Sequence, residues 1–188
     1  MTQDTNRFQF DPKKHVYTLD GKPLSGVTSV LQVIAKPALI QWAADMACDY
    51  IQSQMLEGLP ITSDVIKEAR VAHRKKKEKA GAQGTDTHAL IEEYVKMCIE
   101  SDSGMAIIPD KMDNDALRSF IIWATENKVK FIESEKQMYS ERLWLAGTCD
   151  LVFEQDGKRY VGDIKTMKKM WDRVPFLQTA AYMTMLQE

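Results

Sequence analysis

The sequence has few cysteines and no long apolar run. Its three cysteines, Cys48, Cys98 and Cys149, stand about 50 positions apart, and this spacing suits neither a disulfide framework nor a metal cluster. No stretch approaches the roughly 20 apolar residues of a membrane span, and the opening MTQDTNRF lacks the apolar core of a signal peptide. We therefore expect a cytoplasmic protein from a reducing compartment, with no membrane association.

Internal repeats, low-complexity linkers and a large net charge are also absent. The chain has 188 residues, 44% hydrophobic and 28% charged, which suits a single domain with its own core. Its net charge is only −2, so any binding of nucleic acid must come from local basic patches. Residues 67–79 carry seven basic and two acidic residues, and residues 158–173 carry six and two. A solvated helix face is the plainer interpretation of the first patch.

The predicted elements come as a hairpin, then helices, then strands, then a helix. An N-terminal hairpin and entry segment fill residues 1–36, a helical region fills 37–135, and a strand hairpin with a following helix fills 136–188. We expect a helix break at Gly81 and Gly84, a helix over about 115–134, strands over about 137–153 and 158–166, and a last helix from Pro175. This order predicts a mixed α/β fold with a mostly antiparallel central sheet flanked by helices.

Two carboxylates lie among the apolar residues of the predicted strands. Asp156-Gly157 favours a two-residue turn, and in that register the numbers of paired residues sum to 313. Asp150 then lies opposite Asp163, with the side chains about 4.5–5.5 Å apart at Cβ. Lys165 shares their face because side chains of a strand alternate. The sequence thus predicts two acids and one ammonium group on one face of a hairpin.

Two interpretations of this cluster remain open from the spacing alone. Facing carboxylates repel each other and do not both ionise without a cation. A bound divalent ion would resolve the repulsion, and oxygen ligands favour Mg²⁺ or Mn²⁺. Alternatively, one Asp forms a structural ion pair with Lys165 and the other lies at a solvated edge.

These residues belong to an ordered set of short motifs. G-T-C-D (147–150) and D-I-K (163–165) are followed by Gln178 and Tyr182, and G-x-x-x-H from Gly84 to His88 precedes them. With the V-T-x-x-L segment at 27–31, the set resembles the core signature of PD-(D/E)xK nucleases. It is most similar to the RecB-like branch, which includes phage-type and mitochondrial genome maintenance exonucleases. One departure is that Ser25-Gly26 stands where that branch often has a proline.

The resemblance implies a restriction-endonuclease-like core and a role for each matching residue. Asp150, Asp163 and the backbone carbonyl of Ile164 would bind the metal, with His88 as a further ligand. Lys165 would orient the attacking water and offset charge in the transition state. Gln178 and Tyr182 would support the lysine and contact DNA. Glu135 would lie behind the metal ligands in a supporting position or face solvent. Substrate binding is expected at four lysines of the basic patches, Lys75, Lys76, Lys168 and Lys169. The alternative for His88 is a core histidine with its hydrogen bonds satisfied.

The implied function is Mg²⁺- or Mn²⁺-dependent hydrolysis of DNA, most simply by an exonuclease of phage or bacterial recombination and repair. By the same resemblance we expect a homo-oligomer or a recombination partner protein. Some members of the superfamily carry an iron–sulphur cluster, which needs four cysteines, and this chain has three. The alternatives are a non-catalytic DNA-binding or assembly module on the same fold, and a chance match in an unrelated hydrolase or helical interaction protein. Relatives usually add one or two strands after the position of Tyr182, so we expect either a shortened chain or a different closure of the sheet.

Overall fold

The computed structural model describes residues 7–34, 36–101, 103–110, 112–166 and 173–188. Within these ranges the chain forms six strands and five helices. In chain order they are β1 (Phe8–Asp11), β2 (Val16–Leu19), β3 (Lys22–Gly26), α1 (Val27–Leu31), α2 (Pro37–Leu56), α3 (Ser63–Glu100), α4 (Asp115–Glu126), β4 (Lys130–Ser140), β5 (Leu145–Gln155), β6 (Lys158–Gly162) and α5 (Val174–Gln187).

The six strands form one open, mostly antiparallel sheet. Strands β1, β2 and β3 make an antiparallel meander, and β4 and β6 both pair antiparallel with β5. The single parallel pairing joins β3 to the start of β5, where Ser25 lies opposite Leu145. The predicted mixed α/β class with a mostly antiparallel sheet is therefore confirmed, and so is the N-terminal hairpin.

Helices cover both faces of the central strands. Alternate residues of β5 enter different cores: Leu151 and Phe153 pack with α3 and α4, whereas Val152 packs with α1 and α5. Because successive side chains of a strand point to opposite faces, these two cores lie on opposite sides of the sheet. A third cluster joins the N-terminal meander to Tyr139 and Ala146.

Four predicted boundaries were wrong. Strand β6 ends at Gly162 instead of near 166, so Asp163 and Lys165 lie beyond it. Helix α3 runs unbroken through Gly81 and Gly84 for 38 residues, since a glycine costs a long helix only about 1 kcal/mol. Helix α4 ends at Glu126 instead of near 134, and the next residues enter β4. The single strand predicted over 137–153 is two strands, because residues 141–144 form a turn.

The chain divides into two compact units, one of residues 1–34 and 87–188 and one of residues 35–86. The second unit contains α2 and the first part of α3. In α2, Trp42 and Ile51 are half-buried, whereas Leu39 is exposed. In the described part of the chain, no helix is both long and apolar enough to cross a membrane.

Candidate functional site

The β5–β6 hairpin has the register predicted from its turn. Leu151 pairs with Gly162 and Gln155 with Lys158, and both pairs of numbers sum to 313. Asp156 and Gly157 both have positive φ, 51° and 71°, as a type I′ turn requires. Strand β6 ends at Gly162, so Asp163 is the first residue beyond the paired segment.

The candidate site lies where one edge of β5 is open. Strand β3 pairs with β5 up to Ala146, and β6 begins to pair at Leu151 on the same side of β5. Between these points, no described strand covers this edge of residues 147–150. Asp150 therefore has access to groups from the following loop and from α3 instead of a strand neighbour.

Asp150 is held by a backbone donor and a histidine. The backbone N–H of Ile164 donates to Asp150 Oδ2 at 2.5 Å, and His88 Nδ1 lies 3.7 Å from the same oxygen. Burial raises the pKa of Asp150, as does the charge of Asp163. The N–H of Ile164 acts in the opposite direction, together with His88 and Lys165. A carboxylate in this position is stabilised by any additional positive charge.

Asp163 is the most deeply buried acid of the cluster. Its side chain is 3% exposed, and its Oδ2 forms an ion pair with Lys165 Nζ. Gln178 Nε2 donates to Asp163 Oδ1 at 2.9 Å. Oδ2 accepts no hydrogen bond of ordinary geometry from the described residues, and Lys165 is the described cation paired with it. Removal of that lysine would leave a buried, uncompensated charge.

Helix α5 brings Gln178 and Tyr182 to the back of the acidic cluster. Pro175 lies in its first turn, as predicted, and the two residues follow at i and i+4 on one helix face. Gln178 Nε2 donates to Tyr182 Oη at 3.0 Å, and both side chains are buried. Burial raises the pKa of Tyr182 to about 12. Gln178 thus contacts Asp163 from the buried side, with Tyr182 behind it. Because both side chains are buried, we assign them to support of Asp163 and not to contact with DNA.

Gly147 allows α5 to approach β5 closely. A Cβ atom at this position would lie 2.6 Å from Cε1 of Tyr182, well inside van der Waals contact. The glycine of the G-x-x-D segment thus has a packing reason, three residues before Asp150. Its absence of a side chain leaves room for the ring of Tyr182, whose hydroxyl accepts from Gln178.

Glu135 lies beside the cluster on β4, not on a helix as the resemblance implied. Ser134 pairs with Leu151 and Lys136 with Cys149, which places Glu135 across from Asp150. Its φ is +50°, a strained conformation for a residue inside a strand. Burial raises the pKa of Glu135 to about 7, and the charges of Asp150 and Glu92 add to the effect.

The alternation of β5 also breaks at Asp150. Cys149 packs in the same core as Val152, on the opposite face from Leu151 and Phe153. Strict alternation along the strand would place Cys149 with Leu151 and Phe153, and the structure departs from it. Irregular strand geometry next to active sites re-aims side chains, and here it coincides with the residue that faces His88.

The structure does not test the remaining predicted site residues. Lys75 and Lys76 lie on the part of α3 that belongs to the second compact unit. Lys168 and Lys169 lie outside the described residues. Their predicted role in substrate binding stays a prediction.

A cleft of about 480 Å³ opens next to Asp163 and Lys165, and the sequence did not predict it. Helix α4 supplies Phe120 and Trp123, and Phe153 of β5 completes an aromatic wall. Trp123 is at i+3 from Phe120 and therefore on the same face of α4. That spacing was the available signal, but it equally fits an ordinary core face.

The donor set suits a hard divalent cation, although its side chains do not converge. Asp150, Asp163 and the Ile164 carbonyl offer oxygen ligands of the kind that Mg²⁺ and Mn²⁺ prefer. The buried Oδ2 of Asp163, without an ordinary hydrogen bond, is the atom most in need of a cation. Among the described residues, however, no three His, Cys, Asp or Glu side chains are close enough together to hold an ion. In this arrangement the ammonium of Lys165 is the cation nearest to Asp163.

Comparisons with protein-family models, with curated proteins and with solved structures gave no significant match for this chain. A function must therefore be argued from the residues and their geometry.

Proposed function

We propose that this protein is a metal-dependent nuclease that hydrolyses phosphodiester bonds of DNA. The observation that carries the proposal is the contact network from Lys165 through Asp163 to Gln178 and Tyr182. Residues from separate motifs of the RecB-like signature meet in this network. A structural ion pair alone would account for Lys165 and Asp163 but not for a buried glutamine amide aimed at the same carboxylate.

The residues of the chain divide the work between them. Asp150 and Asp163, with the carbonyl of Ile164, would hold Mg²⁺ or Mn²⁺, which when bound lowers the pKa of water and neutralises charge on a phosphate. Lys165, whose side chain is 28% exposed, can present its ammonium group to the anionic substrate and stabilise charge in the transition state. Gln178 holds the Asp163 carboxylate in one orientation. His88, whose Nδ1 lies 3.7 Å from Asp150 Oδ2, would be the further metal ligand that the resemblance implies.

The proposal predicts cleavage that requires both the metal and the lysine. A labelled DNA oligonucleotide should be shortened in Mg²⁺ or Mn²⁺ and left intact in EDTA. Asp163→Asn and Lys165→Met should each lower the rate by on the order of 10²–10³ while circular dichroism shows a folded protein. Lys158→Met, on the exposed end of the same hairpin, and Asp156→Asn, in its turn, are matched controls that should cleave like the wild type.

Full cleavage by folded Asp163→Asn and Lys165→Met would refute the assignment. If the wild type cleaves, blocking either end of the oligonucleotide gives the direction of digestion and separates exonuclease from endonuclease action. A homo-oligomer or a recombination partner protein is proposed only by extension from the same resemblance. Size-exclusion chromatography with light scattering tests the first.

One observation favours a second candidate, a non-catalytic DNA-binding module. Lys165 already neutralises Asp163, and the described ligands do not converge. Such a protein would bind DNA with the usual salt dependence and would be indifferent to EDTA. Salt-dependent DNA binding with no cleavage in Mn²⁺ would favour this module over the nuclease.

A further inference from the structure

The cleft beside the candidate site combines an apolar body with a charged rim. It lies between α4 and the β5–β6 hairpin and has a volume of about 480 Å³, within the roughly 300–1,000 Å³ of typical ligand sites. Asp163 and Lys165 are the charged residues of the lining. Most of the remaining wall is aliphatic or aromatic, with hydroxyl groups supplied by Thr87, Ser119 and Thr166.

The aromatic wall is continuous and partly accessible. Trp123 is 37% exposed, and its ring centroid lies 5.6 Å from those of both Phe120 and Phe153. Phe153 is itself stacked on Tyr160. These contacts fix the rings in place, so the wall presents a preformed apolar surface. A preformed site lowers the entropy cost of binding a flat ligand.

A ligand that matches both parts of the cleft needs an anionic end and a flat, largely apolar body. The anionic end would lie at Lys165, and the body would lie against Trp123. A nucleotide residue has this composition, because its phosphate is anionic and its base has an apolar face. A base paired in a duplex is covered by its neighbours, so only an unpaired base can enter such a pocket.

We propose that this cleft binds the unpaired nucleobase adjacent to the phosphate at Lys165, so that the protein acts on single-stranded or frayed DNA. The position of the phosphate rests on the proposed nuclease function. Stacking on aromatic side chains tolerates every base, and the few hydroxyl groups of the wall provide little basis for reading one. The cleft therefore selects for the presence of a base rather than for its identity.

Cleavage of matched substrates tests the proposal. Two single-stranded oligonucleotides would differ only in whether the nucleotide beside the scissile phosphate carries a base or is abasic. The wild type should cleave the abasic substrate about tenfold more slowly, the effect of one lost stacking contact. Ala116→Trp, at an exposed position of α4 that lines the cleft, should fill it and abolish this difference.

A matched variant controls for the added indole. Ile122→Trp places the same side chain on α4 at an exposed position outside the cleft, and it should discriminate like the wild type. Equal cleavage of both substrates by the wild type would overturn the proposal, as would unchanged discrimination by Ala116→Trp.

A binding measurement separates this proposal from the nuclease function. Deoxynucleoside 5′-monophosphates, added in EDTA, should quench the fluorescence of Trp123, and Trp123→Phe should lose that change. Quenching without any cleavage of DNA would support the cleft while refuting the nuclease. Cleavage of DNA with no quenching by any of the four nucleotides would support the nuclease and refute binding of a base in the cleft. Equal quenching by inorganic phosphate would show that no base is bound and would overturn the proposal.

Discussion

At the scale of single residues, Asp163 is the point where the elements of the candidate site meet. It follows β6, its Oδ1 accepts from α5, and its Oδ2 pairs with Lys165. A buried ion pair of this kind is weak support for stability, because desolvation offsets much of the attraction. Binding of a cation and an anionic substrate explains better than stability why an acid and a lysine lie together at this buried site.

Glu135 should make the stability of the protein depend on pH. The pKa of its carboxyl is raised to about 7 from an ordinary 4.5, first by burial and then by the charges of Asp150 and Glu92. The folded protein therefore binds this proton more tightly than the unfolded chain, and stability falls as pH rises from about 4.5 to 7. Glu135→Gln should remove that loss, so the variant should lose less of its free energy of unfolding between pH 5 and pH 8.

Urea titrations at the two pH values, in EDTA, measure the effect. Glu135 is exposed by its surface area, so solvent screens its interactions and limits the difference to below about 1 kcal/mol. Glu154→Gln on β5 is the matched control and should follow the wild type. A Glu135→Gln variant whose stability falls as steeply as that of the wild type would show that Glu135 is not the group responsible.

At the scale of elements, the hairpin could be predicted because its turn is encoded locally. Asp156 and Gly157 tolerate the left-handed backbone that a two-residue turn needs, and the turn then sets the register. Once the register is known, counting leads to the last pair, Leu151 with Gly162, and Asp150 and Asp163 are the next residues beyond it. The turn at Asp20-Gly21 is encoded locally in the same way, since both of its residues also have positive φ.

The turn between β4 and β5 could not be predicted in this way, because it contains no glycine or proline. Trp144 adopts a φ of +54°, and its indole Nε1 donates to the Pro23 carbonyl at 2.9 Å. The Oγ of Ser140 accepts from the backbone of Leu143 at 3.0 Å. The contact with Pro23 involves a distant strand, so a sequence window across residues 137–153 shows only a continuous strand pattern.

The contact between α5 and β5 leads to a prediction at the same scale. Gly147→Ala would place a Cβ 2.6 Å from Tyr182 Cε1, so α5 must shift or the tyrosine must leave its rotamer. Overpacking of this kind costs about 1–3 kcal/mol, and urea unfolding should show a loss of that size. Cleavage should also fall, because the shift moves Gln178 away from Asp163.

Gly81→Ala is the control for this prediction. Gly81 lies within α3, where an added methyl group would meet no heavy atom within 4 Å beyond the helix's own backbone. The substitution also increases helix propensity. That variant should be as stable as the wild type or more stable, by up to about 1 kcal/mol. If Gly147→Ala unfolded at the same urea concentration as the wild type, the close packing of Tyr182 on β5 would be refuted.

At the scale of the whole molecule, the predictable part of the site is the part that short motifs encode. The sequence named Asp163, Lys165, Gln178 and Tyr182, and in the structure these four residues form one contact network. Asp150 lies next to it, bonded to the backbone N–H of Ile164, and the role predicted for each residue stays a prediction. The aromatic cleft was not expected, because it depends on how α4 packs against the hairpin. Phe120 and Trp123 carry no local mark that distinguishes a cleft wall from a core.

Metal binding should be visible as a change in the stability of the whole chain. A ligand that binds only the folded state stabilises it, by about 2.7 kcal/mol at a concentration of 100 Kd. If Asp150 and Asp163 hold Mg²⁺ or Mn²⁺, the melting temperature should rise with the concentration of either ion at constant ionic strength. Asp150→Asn and Asp163→Asn should abolish the rise, whereas Asp156→Asn should keep it. Equal rises in all four proteins would place the ion elsewhere, and no rise in the wild type would leave Lys165 as the only cation at Asp163.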